Sequence, residues 1–121
     1  MYCAYYNCRN LTGSPVCGNN VTDMSSTYSG CYNLTGNAYF YSAVVNNARN
    51  CFYDRNTSNR LNIYILANST TNTTIHYMNV SSLVGSAITW TDEGTYQYNT
   101  AYNIYIYPVA DVAAARVENG D

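Results

Sequence analysis

The sequence predicts an all-β domain, and three observations carry that expectation. Short aromatic and β-branched runs recur roughly every ten to fifteen residues, bounded by Asn, Gly and Pro turn signals. No long stretch carries an amphipathic helical period. At 121 residues the chain suits one domain, and a β-sandwich is the natural way to bury strands of this length. The expected organisation is one sandwich over residues 1–109 and a tail or stalk over 110–121.

Taken in order, residues 1–36 are loop-rich, with Pro15 and four Gly set between cysteines. A six-residue echo, C-R-N-L-T-G at 8–13 and C-Y-N-L-T-G at 31–36, is too short to predict a repeat architecture. The segment A-Y-F-Y-S-A-V-V at 38–45 reads as the first strand. L-N-I-Y-I-L at 61–66 alternates, with Leu61, Ile63 and Ile65 on one face. After the turn A-N-S-T-T-N, T-I-H-Y-M-N-V at 74–80 reads as its hairpin partner. G-T-Y-Q-Y at 94–98 and A-Y-N-I-Y-I-Y at 101–107 form a second hairpin, which Pro108 ends because it lacks an N–H. In 101–107, Tyr102, Ile104 and Ile106 share one face while Asn103, Tyr105 and Tyr107 share the other. The tail V-A-D-V-A-A-A-R-V-E-N-G-D has helical propensity but few apolar anchors, so a frayed helix or stalk is expected.

Composition narrows the function. Charged residues are only 10%, against about 25% in an average domain, and lysine is absent. With five Arg, seven acids and a net charge of −2 there is no cationic cluster for nucleic acid, and no apolar run reaches membrane-span length. Asn, Thr, Ser and 15 Tyr take the place of charge. N-x-[ST] acceptors occur at Asn10, Asn20, Asn33, Asn56, Asn68, Asn72 and Asn79, roughly twice the number chance would place. N-glycans would solvate a surface poor in charge, although Asn- and Thr-rich sequence also makes such triplets by accident. Cys3, Cys8, Cys17, Cys31 and Cys51 lack metal spacing, since no C-x-x-C occurs and the single His, His76, is remote. Structural disulfides with one thiol left over are expected, in an extracellular or secretory-lumen compartment. Met1 then reads as an added start codon on an ectodomain.

One motif has family character. At 92–96 the chain reads D-E-G-T-Y, with Leu83 and Ile88 upstream and Tyr98 downstream. Asp92, Gly94 and Tyr96 resemble the D-x-G-x-Y tyrosine corner of immunoglobulin-like domains. Position 98 holds Tyr rather than the cysteine of that family's inter-sheet bridge, and Trp90 lies just before the corner. Over residues 83–109 the chain is similar to immunomodulatory glycoproteins of adenoviruses and betaherpesviruses, with their dense sequons and Tyr-rich final hairpin. The resemblance implies an immunoglobulin-like sandwich that engages a host immune-surface protein, class I histocompatibility molecules being one type of target.

Nothing in the spacing predicts catalysis. His76 shares a predicted strand face with Met78 and Val80, a structural setting, and Asp92 and Glu93 point to opposite faces of an extended chain. No phosphate loop, H-E-x-x-H or G-x-S-x-G element is present, and neither a cofactor nor a metal is expected. Tyrosines turned outward offer large, rigid contact area, as in antibody paratopes. The longest Tyr-rich stretch free of sequons is 98–107, so Tyr98, Tyr102, Tyr105 and Tyr107 are the candidate binding residues. Arg49, Arg55 and Arg60 could meet an acidic partner, but solvated surface charge is the plainer role. The expectation is an extracellular glycosylated module that binds a host or cell-surface protein, for immune evasion if the resemblance holds. The alternative is a structural subunit of an extracellular filament or surface layer.

Overall fold

The computed structural model describes residues 5–53, 56–77, 91–93, 96–100 and 102–121. Six strands form one sheet: β1 (Val16–Cys17), β2 (Gly36–Phe40), β3 (Leu61–Leu66), β4 (Thr91–Glu93), β5 (Tyr96–Asn99) and β6 (Ile104–Val109). Their spatial order is β1-β2-β3-β6-β5-β4. The first four in that order run parallel, and β5 and β4 extend the sheet antiparallel. Two helices lie among the described residues, α1 (Thr70–Tyr77) and α2 (Val112–Glu118). The expected all-β immunoglobulin-like sandwich is therefore incorrect. The chain has a parallel sheet with helices, an α/β arrangement.

The parallel part is built as stacked coils. Val16 pairs with Tyr39 and Gly36 with Leu61, so a coil returns after 23 to 25 residues. A second wall repeats the same offset. The amides of Met24, Ser26, Tyr28 and Gly30 donate to the carbonyls of Asn47, Arg49, Cys51 and Tyr53 at 2.7–3.0 Å. One coil earlier, Tyr5 and Asn7 donate to Thr27 and Ser29. Within this wall, bonds from Cys8 to Tyr5, Thr27 to Met24, Cys31 to Tyr28 and Cys51 to Ala48 close successive four-residue turns. The third residue of each has positive φ: Asn7 59°, Ser26 54°, Gly30 76° and Asn50 56°. That is the signature of type II turns, where Gly and Asn are the residues that tolerate the left-handed region. At Gly30 close approach matters as well, because a Cβ there would lie 3.1 Å from the Asn7 Cα. The echo at 8–13 and 31–36 is thus one coil position seen twice.

Core side chains fill the space between sheet and wall. Cys17, Ala38, Phe40, Leu61, Ile63, Ile65, Ile104 and Ile106 point in from the strands; Met24, Tyr28, Cys31, Ala48, Cys51 and Phe52 come from the wall. Tyr5, Tyr28 and Phe52 stack as an aromatic ladder at 5.3 and 5.6 Å, near the spacing of adjacent coils. The disulfide-stapled N-terminal part is also corrected: Cys8, Cys17, Cys31 and Cys51 are all free thiols, and Cys3 lies outside the described residues. The three buried cysteines serve as small apolar core residues. Burial pushes the Cys17 thiol up to about 11 and raises Cys51 further.

Two local expectations change as well. Residues 74–80 are not a hairpin partner of β3, because 70–77 form α1 and 78–80 lie outside the described residues. Ser69 caps that helix, its Oγ accepting from the Asn72 amide at 3.0 Å. Thr71, fully buried, ties it to the loop after β2 by donating to the Ser42 carbonyl (2.7 Å) and accepting from the Val45 amide (2.9 Å). With Ile75 in the core, tertiary contacts outweigh the β-propensity of Thr and Ile. The D-E-G-T-Y segment pairs Glu93 directly with Tyr96, so Asp92 and Tyr96 belong to a hairpin within one sheet rather than to a corner between two. Gly94 and the upstream residues 83–90 lie outside the described residues. The expected second hairpin is present, pairing Tyr98 with Tyr105. Finally, of the two readings of 110–121, a frayed helix or a stalk, the helix is the one that forms. Asp111 caps α2 through the Ala114 amide (3.1 Å), and the helix buries Val112 and Ala115 and packs over β2 and β3.

Candidate binding face

Strand alternation sends Leu61, Ile63, Ile65, Ile104 and Ile106 into the core, so Asn62, Tyr64, Tyr105 and Tyr107 line the opposite, outer face. Parallel in-register pairing aligns like with like: Asn37 with Asn62, and Tyr39 with Tyr64 and then Tyr107. The rings stack at 5.4 Å (Tyr39–Tyr64) and 5.2 Å (Tyr64–Tyr107), with 19° between planes in both pairs. Beside them Tyr98 stacks on Tyr105 at 5.6 Å and 13°. Five tyrosines from β2, β3, β5 and β6 therefore share one surface.

Two arginines complete it. The Arg60 guanidinium sits 3.6 Å from the Tyr105 ring centroid and donates to the Tyr107 hydroxyl and to Asn62 Oδ1 (2.7 Å). Cation–π contact of this kind fixes the ring and the guanidinium together. At the other end Arg116 of α2 lies 5.7 Å from the Tyr39 centroid and donates to the Tyr41 hydroxyl at 3.3 Å. Tyr39 is fully buried but stands outside the core cluster, because α2 and the residues after it cover it from the outside. Its hydroxyl donates to the Asp121 carboxylate and accepts from the Asn119 amide (3.2 Å), while Asn37 also donates to Asp121 (2.9 Å). Burial, followed by the neighbouring carboxylate, pushes the Tyr39 hydroxyl up to about 12. The same hydrogen bonds from Tyr39 and Asn37 hold Asp121 below its ordinary value.

The face therefore has a half that residues 111–121 contact, Asn37, Tyr39 and Tyr41, of which Tyr39 is fully buried, and a second, open half in which Tyr64, Tyr98, Tyr105 and Tyr107 are half-buried. No family model, curated protein or solved structure matches the chain. The face has to be read from its own chemistry.

Of the four tyrosines singled out from sequence, the fold brings Tyr98, Tyr105 and Tyr107 together and turns Tyr102 to the other side, against the core. Sequence reasoning missed Tyr39 and Tyr64, and it took Arg60 for solvated surface charge, whereas the fold lays Arg60 on Tyr105. Alternation in 61–66 already placed Tyr64 opposite Leu61, Ile63 and Ile65, but no signal connected it to residues forty positions away. Arg49 is exposed in the wall, Arg55 lies outside the described residues, and His76 belongs to α1. Among the described residues no group of three His, Cys, Asp or Glu could hold a metal ion.

The sequon asparagines fall in several settings. Asn10, Asn20, Asn33 and Asn68 are exposed, Asn56 and Asn72 are half-buried, and Asn79 lies outside the described residues. Asn10, Asn33 and Asn56 occupy successive coils: the Asn33 side-chain amide donates to the Arg9 carbonyl at 2.9 Å, and the Asn56 amide donates to the Tyr32 carbonyl at 3.1 Å. Adjacent coils lie about 4.8 Å apart, too close for a sugar on all three. A separate concavity of ≈ 240 Å³ opens at the first coil, between Tyr5, Leu11, Pro15, Val16, Tyr28 and Leu34.

Proposed function

We propose that the chain is an extracellular, glycosylated binding module that engages a host or cell-surface protein through the open half of the tyrosine face. The observation that carries this reading is the Tyr98–Tyr105 stack with Arg60 laid on it, continued by Tyr107 and Tyr64. Tyr and Arg are the residues most often found as binding hot spots. Rings already held by stacking and a guanidinium already held by hydrogen bonds lose little freedom when a partner docks. The class I histocompatibility target came with the immunoglobulin-like architecture, which the coils replace. The proposal therefore names a protein surface and no particular receptor.

The test is binding of the recombinant glycoprotein to intact cells and to arrayed cell-surface ectodomains. Tyr98→Ser with Tyr105→Ser should lower binding at least about tenfold, and mild protease treatment of the cells should remove it. Equal binding by wild type and variant would sink the reading. One observation favours the filament alternative: among the described residues Tyr5 heads the aromatic ladder, and it is 41% exposed, so a further ring could stack on it. Concentration-dependent assembly that Tyr5→Ser abolishes would favour that alternative.

A further inference from the structure

We propose that residues 111–121 are a tethered occupant of the tyrosine face. The face as a whole then binds a short helix of a protein partner that bears a guanidinium in its last turn and a carboxylate just beyond its end. This rests on the reading of the outer face as a binding surface and adds the partner's chemistry and its control.

The tail occupies the face through ligand-like contacts. Its apolar anchors are few: α2 buries only Val112 and Ala115, and Val117 is 79% exposed. The remaining contacts are polar and directed. Arg116 lies on the Tyr39 ring and donates to Tyr41, Asn119 donates to Tyr39, and Asp121 collects hydrogen bonds from Tyr39 and Asn37. Only the Asn37–Asp121 contact is exposed and the others are part-buried, but each is a single polar contact of modest net strength, so a partner that supplies the same groups can replace them. The open half repeats the same preference, since Arg60 stacks on Tyr105 and donates to Tyr107. Stacked tyrosine thus receives a guanidinium at both ends of the face. A partner helix that displaced the tail would add Tyr39, Tyr41 and Asn37 to the tyrosines of the open half.

Helix α2 is joined to β6 by Ala110 and Asp111 alone, which sets a high effective concentration for the docked state. A labelled peptide with the sequence of residues 110–121 is the probe, measured by fluorescence anisotropy on the full chain. Wild type should bind it weakly, because its own tail competes. The triple variant Arg116→Ala, Asn119→Ala, Asp121→Ala should lose amide-exchange protection in α2 and bind the peptide at least about tenfold more tightly. The same peptide with its arginine replaced by alanine should lose that gain, a check that leaves the protein itself unaltered. The proposal is overturned if α2 stays protected in the triple variant, or if an unprotected α2 brings no gain in peptide binding. Should that happen while Tyr98→Ser with Tyr105→Ser still abolishes cell binding, the tail inference falls and the binding face stands. If peptide binding rises in the triple variant but cell binding ignores Tyr98 and Tyr105, the inference holds and the cell-surface reading falls.

Discussion

Leu11 and Leu34 occupy the same place in the six-residue echo, and the coil architecture gives them unequal energies. Leu34 is 2% exposed in the core cluster, with a coil on each side. Leu11 is half-buried in the first described coil, packed against that cluster from its edge. Burying a leucine fully and then truncating it costs about 2–5 kcal/mol, the upper end being reached when a closed cavity remains. Leu34 borders the concavity at the first coil, so its neighbours can relax into the space. Leu34→Ala should therefore cost about 2–3 kcal/mol, and Leu11→Ala, with part of its surface already in water and a coil on one side only, about 1 kcal/mol. At roughly 4 °C per kcal/mol for a chain of this size, the melting temperature should fall about 10 °C and about 4 °C respectively. Urea unfolding followed by far-UV circular dichroism measures both, with an unchanged m-value showing that the denatured state is the same. Val117→Ala, at 79% exposure, is the control and should stay within about 0.5 kcal/mol. Equal costs at 11 and 34, or a larger cost at 11, would refute the coil stacking.

Three further outcomes are expected. Gly30→Ala combines a left-handed φ with a Cβ 3.1 Å from the Asn7 Cα, so it should cost at least about 2 kcal/mol and loosen the first coil, seen as faster amide exchange at Tyr5 and Asn7. Among the four described cysteines only exposed Cys8 should react with a thiol reagent in the native protein, with Cys17, Cys31 and Cys51 following after denaturation; mass spectrometry of the labelled peptides decides this. The tail contacts should show two pH limits. Tyr39, raised from 10.0 to about 12, contributes stability that is complete below pH 10 and lost as pH rises toward 12, so the stability gap between wild type and Tyr39→Phe should narrow there. Asp121, lowered from 3.8, contributes above that value and loses its part only as pH falls below it, which α2 exchange in wild type against Asp121→Asn will show.

Alternation along 61–66 and 104–107 was enough to find β3 and β6 and to sort their inward from their outward residues. Helical propensity alone located α2. The class of fold was not legible by the same route, because alternation in a strand is identical whether its neighbour runs parallel or antiparallel. The sign of a coil was the spacing of C-x-N-L-T-G, and its second wall consists of turns with no strand pattern to detect. Segment 74–80 reads as strand by composition, after a turn over 67–72, yet 70–77 are helix by context: the Ser69 cap, the two hydrogen bonds of buried Thr71 and the burial of Ile75 decide it.

By itself, then, the sequence determined which residues face a core and which face away, since that follows from side-chain chemistry and local period. It also determined that tyrosine and asparagine, rather than charge, would furnish the surface. Tertiary structure alone decided that Tyr39, Tyr64 and Tyr107 form one stacked row, that Arg60 lies on Tyr105, and that residues 111–121 fold back over part of that row. The physical reason is register. Which residues become neighbours across parallel strands depends on how many residues each coil takes to return, and that length is set by packing around the whole turn.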